Sequence, residues 1–187
     1  PGTTIQGTPS NEALHRMGKY YERNDLNGPW ANNPAAGSTT FEATAQADVA
    51  TQRTYASCRR SYTMMLTDGY YMDKANGVDN VDGTVGTAHR TPGGQTYTYT
   101  PTLPYMDGYA NTMADVAMRY WGKDLLENID NNVSPVKGTP GDPAFWQHMN
   151  FLAVTLGLDG TIPPNQTSLN AITAGTKVWP QPQPNSN

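Results

Sequence analysis

The sequence predicts an α/β fold in which helices pack on a buried parallel sheet. Three observations predict it. Tyr62-Thr63-Met64-Met65-Leu66 is a β-prone apolar run, too short for an ordinary helix, that halts at Thr67-Asp68-Gly69. A second such run, Phe151 to Gly157, ends before Asp159-Gly160. Between and before them, apolar residues recur at helical spacing, at Leu14, Met17, Gly18 and Tyr21 and again at Met113, Val116, Ala117, Tyr120 and Trp121. Continuous rather than alternating apolar strands fit a sheet covered on both faces, as in parallel sheets flanked by helices.

Each element has local reasons. Thr8-Pro9 reads as an N-cap followed by proline at the first helical turn, opening a helix over roughly residues 9–23. Residues 24–56 are rich in Asn, Ala, Gly, Thr and Pro and read as a long loop, with a short helix near Thr40–Thr51. The strand of residues 61–67 follows. Residues 72–108 form a second long excursion, in which the TYTYTP run at 96–101 supplies an edge strand. Asn111 or Thr112 caps the helix that begins at Met113. Asp142-Pro143 opens a short helical turn through His148, before the second strand. After Thr161 the chain reads as a Pro/Asn/Gln/Thr-rich tail over residues 162–187, with no final helix or strand. Two strands and two helices are an excerpt of a layered α/β domain, not a closed one.

Composition narrows the function classes. With 187 residues, 18 glycines, 15 prolines and a mean hydropathy of -0.64, the chain suits one modest core carrying long polar loops. A net charge of -4 and a pI near 5.2 give no electrostatic footprint for nucleic acid. No apolar run approaches the length of a membrane span. Arg59-Arg60 is the one dense basic spot, and reads as solvated. Pro1 is not a translation start, which predicts residues upstream of it. The single cysteine, Cys58, reads first as a small buried side chain beside the strand, and otherwise as a half-disulfide with a partner outside these residues.

The candidate chemistry lies in Thr8 and Asp68. Ligands of parallel sheets collect just past the carboxyl ends of the strands, where Asp68 stands. A hydroxyl opening the first helix can reach the same rim. A neutral hydroxyl beside a carboxylate is a hard-oxygen pair suited to Mg²⁺, Ca²⁺ or Mn²⁺, with water and further ligands completing the shell. Ser10 is a poor outside candidate, because it faces along the helix. Asp73, Asp79, Asn80 and Asp82 invite a calcium loop, but no Glu closes the EF-hand pattern, and an Asp/Asn/Gly turn accounts for them. Asn165-Gln166-Thr167 matches a glycosylation sequon. None of the hydrolase, zincin, P-loop or dinucleotide motifs is present. His15 reads as lying on the polar side of its helix, His89 in a loop and His148 as hydrogen-bonded, so no nucleophile–base–orienter trio assembles and no enzyme is expected.

Two blocks carry a resemblance. GTPSNEAL at 7–14 with MMLTDGYY at 64–71 looks like two segments of a von Willebrand factor A-type domain. In that family a first strand carries Asp-x-Ser-x-Ser, a later loop supplies a Thr and a further strand ends in an Asp. Together they form a metal-ion-dependent adhesion site. Thr8 would match the Thr and Asp68 the Asp. No Asp-x-Ser-x-Ser occurs here, so the resemblance places it before residue 1 and leaves the site incomplete in these residues.

The resemblance narrows with CRRSYTMMLTDGYY at 58–71, VDNVDGT at 78–84, PYMDGYANTMADVAMRYW at 104–121 and DPAFWQHMNFLAVTLGLDGT at 142–161. These resemble the PilC/PilY family of type IV pilus tip-associated adhesins. The resemblance implies a partial Rossmann-like, three-layer A-type domain over residues 1–161, with insertions at about 24–56 and 72–108. It implies a divalent cation (Mg²⁺ or Ca²⁺) as cofactor and an extracellular place at the cell surface or pilus tip. The implied partners are minor pilins, a host or surface receptor, and the rest of a longer polypeptide. It also supports a cysteine partner for Cys58 upstream. Two other readings stay open: a metal-free spacer of a filament, and a glycan-binding face built from aromatic residues around the 92–109 loop.

Overall fold

The structure, a computed structural model, describes residues 8–24, 28–30, 56–138, 141–156 and 160–181. The described elements are α1 (Ser10–Tyr21), β1 (Ser61–Thr67), β2 (Ala88–Arg90), β3 (Thr96–Thr98), α2 (Met113–Gly122), β4 (Met149–Thr155) and α3 (Gln166–Thr173). The helix expected near Thr40–Thr51 lies outside the described residues.

β1 and β4 pair in parallel, in register from Ser61 opposite Met149 to Thr67 opposite Thr155. This is the parallel pairing expected from the two apolar runs. β4 starts two residues earlier than its apolar run, because Met149 is drawn into the core and is fully buried. The expected burial on both faces is corrected. Along β1, Ser61, Thr63 and Met65 turn inward while Tyr62, Met64 and Leu66 turn outward. Leu152 and Val154, opposite Met64 and Leu66, share that exposed face. Among the described residues only the inner face has a layer on it, made by α2 against β4 and by α1 against α2.

The core between these helices and the sheet holds Leu14, Trp30, Val116, Tyr120 and Met149. The two helices meet very closely at Gly18. A Cβ added there would stand 2.1 Å from the Tyr120 ring, so only glycine admits this approach. Tyr120 passes on to donate or accept at His15 Nδ1, 3.0 Å from its hydroxyl. His15 is therefore buried, not on a polar helix face.

A second cluster stands beside the first, with Phe145 and Trp146 at its centre and Tyr97 and Trp121 packed on it. The TYTYTP run does form a strand, but its partner is β2, in an antiparallel hairpin. His89 of β2 is buried rather than in a loop. Its ring stacks on Trp146 at 4.0 Å and its Nε2 lies 2.8 Å from the Gly122 carbonyl.

The 72–108 excursion is fastened to the start of α2. Asn111, at φ 62, accepts at Oδ1 from the N–H groups of Val78 and Asp79, and Asp115 Oδ1 accepts from Val81 N–H. Thr112 and Asp115 close a full capping box on α2. Two further expectations fail. Residues 143–148 are extended and bent, without a helical turn, because Asp142 pairs in a bridge with Val136. The tail contains a helix, α3, capped by the Asn165 side chain on Ser168 N–H. Its inward stripe is only Ser168 and Ile172, too thin to show periodicity. Cys58 is exposed, not buried. The two arginines are engaged rather than simply solvated: Arg59 donates to the Pro29 carbonyl and Arg60 to that of Ser134. No described helix is long and apolar enough to cross a membrane.

Candidate functional site

Because β1 and β4 run in parallel, both leave the sheet on the same rim. Asp68 is the first residue past β1 and is exposed there. The chain turns at once: Thr67 Oγ1 accepts from Gly69 N–H at 3.0 Å and Asp68 Oδ1 from Tyr70 N–H at 3.2 Å. Gly69 sits at φ 86, a conformation glycine adopts freely. Asp68 Oδ2 carries no hydrogen bond from the described residues, and the residue is exposed.

The amino end of α1 is brought to the segment leaving this turn. Met72 N–H donates to the Thr8 carbonyl at 3.2 Å. One residue later the Asp73 carboxylate receives Asn11 N–H at 3.2 Å and Glu12 N–H at 2.7 Å, while Asn11 Nδ2 returns a bond to the Asp73 carbonyl at 2.7 Å. This corrects the expected cap. Pro9, not Thr8, occupies the N-cap position and makes no side-chain cap, and the free N–H groups of the first turn are met by Asp73 from across the chain. The Thr8 hydroxyl is thereby released from capping, and Thr8 is exposed. Ser10 is buried at the first helical position.

Thr8 and Asp68 thus belong to two segments that the backbone ties together, Thr8 through Met72. Both offer hard oxygen to solvent, which suits a hydrated Mg²⁺ or Ca²⁺. Among the described residues no group of three or more His, Cys, Asp or Glu side chains is placed to hold a metal ion. Within the candidate calcium loop, Asp73 and Asn80 already serve the backbone. Asp73 caps α1, Asn80 accepts from Gly83 N–H to close its own turn, and Asp79 is exposed at φ 64.

Asp82 is fully buried. Its Oδ1 accepts from Asp107 N–H at 3.1 Å and its Oδ2 has no partner among the described residues. Burial pushes its carboxyl up to about 6, with the Asp107 and Asp115 carboxylates adding to the rise and the bond from Asp107 N–H opposing it. Elsewhere burial lowers the imidazoles of His15 and His89 and pushes the Tyr120 phenol up to about 12.

A separate polar cluster joins Asp142, His148 and Asn150. Trp121 Nε1 donates to Asp142 Oδ1 at 3.0 Å, Ala144 N–H to the same oxygen at 3.1 Å, and His148 Nε2 lies 3.0 Å from Oδ2. Burial would raise this carboxyl, but the hydrogen bonds and the His148 ring outweigh it and hold it below its ordinary value. His148 is hydrogen-bonded, as its setting suggested. Sequence reasoning missed Asp73 as the helix cap and the Asp142 cluster, since both depend on partners the local sequence does not bring near.

No family model matches the chain, and no solved structure matches it. The curated relatives do. The chain is 31% identical over 201 residues to the type IV pilus biogenesis factor PilY1 of Pseudomonas aeruginosa strain PAO1, covering 97% of the chain and 16% of that protein. It is 31% identical to PilY1 of strain PAK over 93% of the chain and 15% of that protein. It is 33% identical to PilY1 of strain UCBPP-PA14 over 91% of the chain and 17% of that protein. The chain therefore spans about a sixth of the length of these relatives. The resemblance to the PilC/PilY family is borne out: along nearly its whole length this chain is a relative of the PilY1 type IV pilus biogenesis factors.

Proposed function

We propose that this chain is a non-enzymatic adhesion and pilus-assembly module of the extracellular surface, acting through a divalent cation at the rim of its parallel sheet. Thr8 and Asp68 are two of the ligands, and an open coordination position accepts an acidic group of the partner. The partners are minor pilins or the pilus tip, a host or surface receptor, and the rest of a longer polypeptide, which also contributes the remaining ligands. The observation that carries the reading is the exposed Asp68 carboxylate, directly past β1, beside a segment whose backbone holds Thr8.

An A-type, three-layer domain is part of the proposal, and the parallel β1–β4 pair with helices on one face is compatible with it. The relatives, named as type IV pilus biogenesis factors, support the pilus setting. Calorimetric titration of Mg²⁺ and Ca²⁺, made on the chain with its upstream polypeptide and repeated with Asp68→Ala, tests it. Binding that Asp68→Ala abolishes supports cation-dependent adhesion. A folded protein that binds neither ion favours the metal-free spacer.

A further inference from the structure

A cleft of about 490 Å³ opens between the β2–β3 hairpin, α2 and the start of β4, well within the size range of small-ligand sites. Its walls are aromatic. Tyr97 and Trp121 stand at 90° to each other with ring centroids 6.2 Å apart, and Tyr105, a little over half exposed, borders the opening. Its rim is polar but almost uncharged, with the Thr102 hydroxyl, the Asn150 amide and the Tyr97 and Tyr105 phenols. Neither phenol has a hydrogen-bond partner among the described residues. Burial raises the Tyr97 phenol, helped by Tyr105 and Asp142 across the cleft, so it stays a neutral hydroxyl, able to donate and accept.

Charge decides the class of occupant. Among the described residues no Lys or Arg lines the cleft, so none of them compensates a phosphate, sulfate or carboxylate. Asp142 is the one acidic lining residue among those described, and its two oxygens are already taken by Trp121, Ala144 and His148. It has no call for a cation. What remains is a site for an uncharged group with apolar faces and a hydroxylated edge. A pyranose has that form: its C–H faces lie against aromatic rings while its hydroxyls reach polar groups at the margin.

We propose that this cleft binds a neutral sugar ring. The site is separate from the Thr8–Asp68 rim and needs no metal. Its test is binding of a panel of neutral oligosaccharides ending in glucose, galactose or N-acetylglucosamine, each beside its sialylated or sulfated counterpart, measured in EDTA and repeated without it. The expected result is binding of at least one neutral member. Tyr105→Ala should weaken it roughly tenfold through loss of a stacking wall. Ala114→Trp, on an exposed position of α2 that lines the cleft, should abolish it by filling the space. Circular dichroism confirms that both variants fold. Failure of the folded protein to bind any neutral member, binding restricted to the charged ones, or binding that neither substitution moves would overturn the proposal. Binding seen only without EDTA would overturn it too, and would assign the sugar to the cation rim.

Discussion

The Asp73 carboxylate holds Glu12 N–H at 2.7 Å, and with it the first turn of α1. This one side chain joins the loop after β1 to the helix that follows Thr8. A carboxylate there meets two free N–H groups and the positive end of the helix dipole. Asp73→Ala should cost about 1–2 kcal/mol in urea unfolding, and Asp73→Asn less than that, since the amide keeps an acceptor but loses the charge. Loss of less than about 0.3 kcal/mol in both variants would show that the cap does not hold α1 in place.

Gly18 lies in the middle of a helix, where alanine is ordinarily the better residue by about 1 kcal/mol. The Tyr120 ring reverses that expectation. The added methyl would meet Tyr120 Cδ2 and Cε2 at 2.1 Å, and the ring is packed on every side, with its hydroxyl on His15. Gly18→Ala should therefore destabilise by about 1–3 kcal/mol, the range of overpacked cores. The companion change Tyr120→Leu should abolish most of the difference between Gly and Ala at position 18, as a double-mutant cycle will read.

Asp82 makes stability depend on pH in an unusual direction. Its folded carboxyl titrates at about 6, above the ordinary 3.8, so the folded state prefers it protonated. Its contribution is present below 3.8 and is lost as pH rises to about 6, which leaves a standing cost at neutral pH. His15 and His89 act oppositely. Both titrate below their ordinary 6.5, so their contribution is full above that value and falls as the solution is acidified. In Asp82→Asn, denaturation followed from pH 4 to 8 should show a gain of about 1–3 kcal/mol at neutral pH. The same variant should lose more stability than the parent on acidification below pH 6.5, because the histidines are then opposed by the half-buried Asp124 carboxyl but no longer by Asp82. An unchanged profile would mean that Asp82 is ionised at no cost.

The sheet and α2 were legible because their signals are local. The run from Tyr62 to Leu66, stopped by Asp68-Gly69, and the capped stripe from Thr112 to Trp121 each carry their own boundaries. Asp73 was not legible as a cap, since its partners on α1 lie 61 and 62 residues away. Thr8-Pro9 gave a complete local cap signal that a stronger, distant carboxylate overrode. α3 escaped notice for the opposite reason: it buries little besides Ser168 and Ile172, and Asn165 looked like part of a sequon rather than a cap. Met64 and Leu66 read as buried from their apolarity alone, a property that says nothing about which layer stands on that face.

The last prediction separates the rim's chemistry from its architecture. Asp68 and Asp73 lie on one short segment, yet the first faces solvent and the second supports α1. Asp68→Ala removes no packing, so its stability should stay within about 0.5 kcal/mol of the parent. Under the proposed function it should nevertheless eliminate Mg²⁺ or Ca²⁺ binding, and Thr8→Ala should weaken that binding without touching the helix cap. Asp73→Ala should do the reverse, losing stability first and affinity only through the displaced Thr8 segment. If Asp68→Ala proves destabilising while cation affinity is unchanged, Asp68 is a turn residue and the ion, if bound, sits elsewhere.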